Sequence, residues 1–357
     1  EAPPAGAGER AQRLRAHLAR QVGEIADACR TWRPHLVHIE IAGVLGHAVL
    51  DLAQHAAVPV TSYWHALHRL APSADQAALL ATLHAFHRRC ARTFADTPAQ
   101  AADLAAAGVR DVHLIGRGVD AQHFTPAMRT PALRMAWGAG VDTPVALYVS
   151  RLLEVKNLDL LARALEAARR AQPKLIAVIV GDGPERAALA ARLPWAIFTG
   201  TLTGQTLAEV YASADLFPYP GRTTSFALAL LEAMASDLAP VAFAPTASLH
   251  LQDGVNGRVL ADGDDAGFIA AVTTLATNLP LTRRLGAAAR TTATGIGWNA
   301  LGGLVAAEFR AVVAQAAAGA AINAASRAPS DPAPRDTSDA PVPPPPSSAG
   351  TGRAPGR

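Results

Sequence analysis

The residues with the clearest chemical potential are Arg151 and Lys156, within the stretch Val149-Ser-Arg-Leu-Leu-Glu-Val-Lys-Asn157. The stretch follows a short apolar run and leads into an amphipathic segment, so it predicts a loop between a strand and a helix. Both cations can converge there on one anion, which the positive end of the helix dipole also attracts. A guanidinium and an ammonium together suit a diphosphate. Two solvated surface charges would give the same pattern, so the loop alone leaves both interpretations open.

The elements that must position this loop alternate between strand and helix along the chain. Before the loop, four short apolar segments predict strands: His35–Ile41, Val58–Trp64, Arg92–Asp96 and Val112–Gly116. A second alternating series begins at Val145–Val149 and continues through Leu216–Tyr219 to helices near the C-terminus. Strands that alternate with helices of ~10–15 residues indicate parallel, doubly wound sheets. We therefore predict an α/β fold of two Rossmann-like domains facing a cleft, the first short of strands.

Length and composition are consistent with this organisation. The chain has 357 residues, of which 50% are hydrophobic and 17% charged, enough for two domains at ~100–200 residues each. We place the domains at residues 1–125 and 126–325, and we interpret the Pro-, Ala- and Ser-rich residues 326–357 as a disordered tail.

Composition also excludes several classes of function. The net charge of +3 and the absence of a basic, aromatic-rich run argue against a nucleic-acid partner. Cys29 and Cys90 are the two cysteines, too few for a disulfide framework and typical of a reducing compartment. No uninterrupted apolar stretch reaches the ~20 residues of a membrane span, so we expect none, and no signal peptide is recognisable.

Further motifs follow the basic loop in a fixed order. They are Gly181–Glu185, Phe198–Gly200, Tyr211–Phe217, Leu231–Ser236, Asp253–Gly257 and Trp298, preceded upstream by Gly116-Arg-Gly-Val-Asp120 with Phe124 and Pro126. This set resembles the retaining glycosyltransferases of family 4, which have the GT-B fold, and the basic loop resembles their Gly-Arg-x-x-x-x-Lys loop with Ser150 in place of the glycine. The upstream segment is similar to the branch of GDP-mannose-dependent α-mannosyltransferases and sulfolipid or glucosyl-lipid synthases.

The resemblance implies a retaining transfer from a nucleotide-diphosphate sugar, with no metal and no other cofactor. Arg151 and Lys156 would stabilise the departing diphosphate, and His65 would face the donor sugar as the third catalytic residue. Glu232 matches the second glutamate of a Glu-x7-Glu motif that holds the nucleotide ribose. The remaining donor-binding positions that the resemblance implies are Thr224, Phe226, Ala227, Leu228, Ser150, Gly181, Gly200 and Arg117.

The sequence departs from the family pattern at several positions. Thr224 stands where the first glutamate of the motif is usual, and Ala227 and Asp237 replace glycines. Ala42 stands where relatives of this branch usually have a glutamate. Nothing before Arg33 resembles the first strand and Gly-rich loop of the family. The gene product either begins earlier or is a truncated paralogue.

Two functions are compatible with this pattern. The first is transfer of a hexose of the mannose or glucose type from GDP-mannose or a UDP-sugar to a lipid or saccharide acceptor. The alternative is a catalytically impaired or non-catalytic GT-B paralogue that binds a nucleotide or a protein partner. We expect a cytoplasmic protein, with peripheral contact at the inner face of the membrane left open.

Overall fold

A computed structural model gives the structure of residues 7–65, 74–222, 228–247 and 250–327. The chain divides into two compact units, Glu1–Gln315 and Ala316–Arg357. Two parallel β-sheets lie in the first unit. Of the second unit, the structure describes residues 316–327, which are helical.

The first sheet contains four strands that pair in the order of the sequence, as predicted. Its strands are β1 (Val37–Ile39), β2 (Val60–Tyr63), β3 (Arg92–Ala95) and β4 (Val112–Leu114), and its helices are α1 (Ala7–Trp32), α2 (Val44–His55), α3 (Ala74–Arg88) and α4 (Pro98–Ala106). Three successive parallel crossovers in one direction have the same hand, which places α2, α3 and α4 on one face of the sheet. Helix α4 has the predicted cap, since the Thr97 hydroxyl accepts a hydrogen bond from the Gln100 amide.

The second sheet has six parallel strands in the order β10-β9-β8-β5-β6-β7. The strands are β5 (Val145–Val149), β6 (Ile176–Val180), β7 (Ile197–Gly200), β8 (Leu216–Tyr219), β9 (Ala239–Phe243) and β10 (Arg258–Leu260). The helices are α5 (Pro131–Ala136), α6 (Leu158–Ala171), α7 (Arg186–Arg192), α8 (Gly204–Ala212), α9 (Leu228–Ala235), α10 (Ala244–Ala247), α11 (Asp265–Thr277), α12 (Leu279–Gly295) and α13 (Trp298–Arg327). The chain reverses its winding direction between β5 and β8, and ligands of such sheets bind at the carboxyl ends of strands beside this point.

The two faces of the first sheet are covered by distant parts of the chain. Ile39 and Val60 pack into a core with Leu50 of α2. Successive side chains of a strand point to opposite faces, and on the other face Phe309 of α13 meets His38, with ring centroids 5.2 Å apart. Helix α13 therefore returns to the first sheet, as predicted from the sequence.

An ion pair fixes this return. Arg92 of β3 is almost fully buried and donates hydrogen bonds to the carboxylates of Asp111 and of Glu308 in α13. His113 of β4 lies 3.0 Å from the same Glu308 carboxylate. A buried arginine between two carboxylates is satisfied only while both elements stay in place.

The connection between the sheets is more ordered than the sequence predicts. Residues 121–143, expected to be a linker, contain helix α5. Its Arg134 is buried and donates hydrogen bonds to the carbonyls of Ser213, Gly140 and Thr143, so tertiary contacts hold a helix too short to be stable alone.

Helix α13 also corrects the expectation that no segment could span a membrane. By length and composition alone its Trp298–Ala321 part could do so, with a mean hydropathy of 1.3 and 6% of its window buried. The sequence pattern hid this because alanine and glycine supply the hydropathy and Glu308 and Arg310 interrupt the run. The test does not distinguish a span from a helix that covers other parts of the protein, and Glu308 and Phe309 contact the first sheet.

Candidate functional site

The loop after β5 lies at the carboxyl edge of the second sheet, where the winding direction reverses. Strand β5 ends at Val149, Arg151 follows it directly, and Lys156 closes a single 3₁₀ turn before α6. Both cations therefore extend from the end of a central strand, as the alternating pattern predicts.

A cavity of about 410 Å³ opens at this edge. Five residues predicted for the site line it: Ser150, Arg151, Lys156, Gly181 and Leu228. Seven further residues that the sequence analysis did not single out also line it: Val149, Val180, Asp182, Thr201, Leu202, Tyr219 and Ala229. Most of these follow the carboxyl ends of neighbouring strands, and that placement is the signal that could have found them.

The two cations of the cavity have no compensating charge nearby. Among the residues that the structure describes, neither Arg151 nor Lys156 forms a salt bridge. Burial lowers the pKa of Lys156, and the neighbouring positive charge of Arg151 lowers it further. An anion bound between the two side chains would remove this electrostatic cost, so the cavity is suited to a phosphate or diphosphate.

Close backbone packing shapes one wall of the cavity. Gly181 follows β6 with a φ of +128°, and a Cβ atom there would lie 1.9 Å from the Ser150 carbonyl oxygen. Only glycine fits this approach. The Gly181 amide donates a 2.8 Å hydrogen bond to the carbonyl of Gly200 at the end of β7, which places this third predicted residue beside the cavity wall.

Glu232 lies in α9, one turn after Leu228 and on the same helix face. The hydroxyl of the fully buried Tyr211 donates a 2.8 Å hydrogen bond to its carboxylate. Burial raises the pKa of Glu232, while the Tyr211 bond and the charge of His123 act in the opposite direction. Glu232 is not among the residues that line the cavity, and Tyr211 holds it in one orientation.

His65 and Arg117 lie on the first sheet rather than around this cavity. His65 follows β2, and its Nε2 atom is 3.0 Å from the carboxylate of Glu40. Arg117 follows β4 and donates from Nε to Asp96 across 3.3 Å. The structure thus does not bring Arg117 together with the other predicted donor-binding residues. Three predicted positions, Thr224, Phe226 and Ala227, lie outside the described residues.

A larger cavity of about 740 Å³ opens at the opposite, amino edge of the second sheet. Its charged residues satisfy one another, since Arg134 and Arg129 both pair with Asp215 at 3.1 and 3.0 Å. Ligands of parallel sheets bind at the carboxyl edge, so we place the functional site at the smaller cavity.

No metal site is evident in the described part of the chain. Within residues 7–65, 74–222, 228–247 and 250–327, no group of three or more His, Cys, Asp or Glu side chains is arranged to hold a metal ion.

Two protein families match this sequence. The family described as "Glycosyl transferases group 1" matches residues 143–278, which contain the second sheet and the cavity. The family described as "Glycosyltransferase Family 4" matches residues 5–123, which contain the first sheet.

Curated relatives agree with both family matches. A GDP-mannose-dependent alpha-mannosyltransferase of Mycolicibacterium smegmatis is 35% identical over 73% of this chain and 69% of its own length. One of Corynebacterium glutamicum is 33% identical over 66% of this chain and 57% of its length. A sulfoquinovosyl transferase of Arabidopsis thaliana is 28% identical over 79% of this chain and 56% of its length. The chain thus spans roughly three-fifths of the length of these relatives.

Solved structures show the same fold. A sucrose-phosphate synthase from Thermosynechococcus elongatus superposes with a TM-score of 0.70 at 20% identity, covering 85% of this chain and 80% of the other. The Anabaena protein HepE in complex with UDP-glucose superposes with a TM-score of 0.65 at 19% identity, covering 81% and 82%. Both sheets of this chain therefore have the arrangement of the GT-B fold.

Proposed function

Because this chain belongs to the family 4 glycosyltransferases, we propose that it transfers a hexose from a nucleotide-diphosphate sugar to a lipid or saccharide acceptor. The observation that carries the proposal is the pair Arg151 and Lys156, which line one cavity without a compensating carboxylate among the described residues. The reaction retains the configuration of the sugar and uses no metal and no other cofactor.

The cavity residues would act at the leaving group. As the bond from the sugar to the diphosphate breaks, negative charge grows on the phosphate oxygens, and Arg151 and Lys156 stabilise it. Their interaction strengthens as the charge develops, so it lowers the barrier rather than only tightening ground-state binding. Glu232 accepts hydrogen bonds from the ribose hydroxyls, in the orientation that Tyr211 imposes. His65 faces the donor sugar from the first sheet.

Candidate donors follow from what the relatives and neighbours are called. The mannosyltransferases of Mycolicibacterium smegmatis and Corynebacterium glutamicum are named GDP-mannose-dependent, and HepE was solved with UDP-glucose. We propose GDP-mannose or a UDP-sugar as the donor. The protein acts in the cytoplasm, with a lipid acceptor presented at the inner face of the membrane, and it has no nucleic-acid partner. The domain limits at residues 125 and 325 are part of the same proposal.

The test is donor binding followed by turnover. We expect GDP, UDP or ADP sugars to raise the melting temperature of the purified protein, and Arg151→Gln to remove the shift. Arg186→Gln is the matched control, because Arg186 lies on the same sheet edge outside the cavity. If none of these sugars stabilises the wild-type protein, the proposed donor site is wrong.

The non-catalytic alternative is favoured by one observation, the threonine at position 224. In an enzyme weakened there, Thr224→Glu restores a carboxylate that accepts hydrogen bonds from the sugar hydroxyls, and such charge-assisted bonds are roughly twice as strong as neutral ones. Turnover then rises while affinity for the bare nucleoside diphosphate stays level. Thr224→Gln, which has the same length without the charge, is the control. No turnover in either variant supports the alternative.

A further inference from the structure

Five polar side chains lie together where the strands of the first sheet end. We call Glu40, Tyr63, His65, Asp96 and Arg117 the edge cluster. Glu40 follows β1, Tyr63 and His65 stand at the end of β2, Asp96 follows β3 and Arg117 follows β4. Since carboxyl ends of parallel strands meet at one edge of a sheet, the cluster occupies the position where α/β folds bind ligands.

Contacts make the cluster continuous. Asp96 is buried, and its carboxylate accepts hydrogen bonds from the Tyr63 hydroxyl and from Nε of Arg117. The Arg117 guanidinium lies 5.5 Å from the centroid of the Tyr63 ring, and the His65 ring lies 5.1 Å from the other side of the chain of contacts, at Tyr63. Arg117 is thus held in place by a buried carboxylate and an aromatic ring.

The same cluster leaves hydrogen-bonding groups unused. The two oxygens of Glu40 meet His65 at 3.0 Å and His38 at 3.2 Å, yet the Glu40 side chain remains 55% exposed. Within the described residues, the terminal nitrogens of Arg117 and Nδ1 of His65 have no hydrogen-bond partner. Donors and acceptors therefore stand side by side on an open surface, which is the requirement for binding hydroxyl groups that both donate and accept.

Charge selects the class of ligand. Asp96 already compensates the positive charge of Arg117, so the uncompensated charge of the cluster is the negative one of Glu40. An anionic ligand bound at Arg117 would meet this carboxylate, and like charges at such distances repel. Uncharged hydroxyls have no such penalty.

An apolar surface adjoins the cluster. Ile41 and Val44 follow Glu40 in the loop between β1 and α2, and they are 71% and 73% exposed. A ligand whose hydroxyl-bearing head contacts Glu40, His65 and Arg117 could cover these two side chains with an apolar tail.

We propose that the edge cluster is the acceptor site, and that the acceptor is an amphiphile with an uncharged polyhydroxyl head. Arg117, for which the family resemblance implied a donor contact, binds the acceptor head instead, with Asp96 and Tyr63 as its positioning residues. This proposal rests on the proposed transferase function, because an acceptor site has meaning only in such an enzyme.

The test measures acceptor binding without turnover. Octyl glucoside, below its micelle concentration, is titrated into the full chain and followed by ligand-observed NMR, beside octyl glucuronide, which differs by a carboxylate. We expect the wild-type protein to prefer the glucoside. Arg117→Gln should weaken glucoside binding about tenfold, the loss of one charge-assisted hydrogen bond. Arg110→Gln, at an exposed arginine without an ion pair in the described residues, should leave it unchanged.

Glu40→Gln provides a second, sharper readout. It keeps the size of the side chain and removes the charge, so the preference for the glucoside over the glucuronide should fall several-fold. This variant keeps the Asp96–Arg117 pair and remains informative if Arg117→Gln does not fold. Absence of glucoside binding, a wild-type preference for the glucuronide, or an unchanged preference in Glu40→Gln would each overturn the proposal. Calorimetry with GDP and UDP on the same samples tests the donor site separately, so a failure there concerns the transferase function and not the acceptor class.

Discussion

Replacing Lys156 by glutamine should move stability and affinity in opposite directions. Lys156 is half-buried beside Arg151, and both features lower its pKa in the unliganded protein. A base whose pKa is lower in the folded state destabilises the fold while it stays protonated. Lys156→Gln removes this burden, so the variant should melt at a higher temperature than the wild-type protein when no ligand is present.

The same change should weaken binding of a nucleoside diphosphate. A hydrogen bond to a charged group contributes about 1.5–3 kcal/mol, and about 1.4 kcal/mol corresponds to a factor of ten. The dissociation constant for GDP or UDP should therefore rise roughly ten- to hundredfold. Isothermal titration calorimetry measures this directly, and differential scanning calorimetry measures the melting temperature of the same sample.

Lys174 offers a matched control, because it is an exposed lysine outside the cavity. Lys174→Gln should change neither the affinity nor, by more than a degree or so, the melting temperature. A Lys156→Gln protein that binds both diphosphates as tightly as the wild type would show that this side chain does not contact the donor. A lower melting temperature would show that Lys156 is a structural residue.

Three further outcomes follow from the structure. Asp237 has a φ of +72°, so Asp237→Gly should stabilise the fold by about 0.5–1 kcal/mol in urea unfolding; a loss of stability would mean that the aspartate has contacts worth more than the strain. The pKa of Glu232 is raised by burial, so diphosphate affinity should fall as the pH is lowered through that pKa, while Glu232→Gln should show a weaker dependence; identical calorimetric profiles would contradict its role at the ribose. Glu308→Ala should cost about 2–3 kcal/mol of unfolding free energy, because it removes one carboxylate from the buried Arg92; unchanged stability would show that α13 does not fix the sheet.

Much of the fold is readable from local pattern. Strands β5 and β8 occupy the predicted residues, Val145–Val149 and Leu216–Tyr219, because continuous apolar runs bounded by polar loops have few other solutions. Helix α13 was predicted over Leu301–Val313 but extends over Trp298–Arg327. Its alanine-rich ends have high helix propensity and no apolar periodicity, so a search for amphipathic segments ends too early.

The candidate site divides along the same line. Arg151 and Lys156 belong to one loop, and their spacing with the strand before them was enough to place both at one cavity. The edge cluster was not foreseen as a unit, because its contacts join residues far apart in sequence: Glu40 meets His65 25 positions later, and Tyr63 meets Asp96 33 positions later. Such pairings depend on strand order and register, which a single sequence does not specify.

The packing of α13 on the first sheet has a consequence for how the chain is made. Strands β1 to β4 and their three crossover helices leave the ribosome early, yet the layer that covers their second face, around Phe309, is synthesised almost last. Until then His38, Phe94 and Arg92 lack the partners that they have in the native state, and exposed sheet faces of this kind promote aggregation. The N-terminal half should therefore remain a client of chaperones until translation is nearly complete. A fragment that stops before Trp298 should be insoluble, and co-expression of residues 298–315 as a separate peptide should recover it.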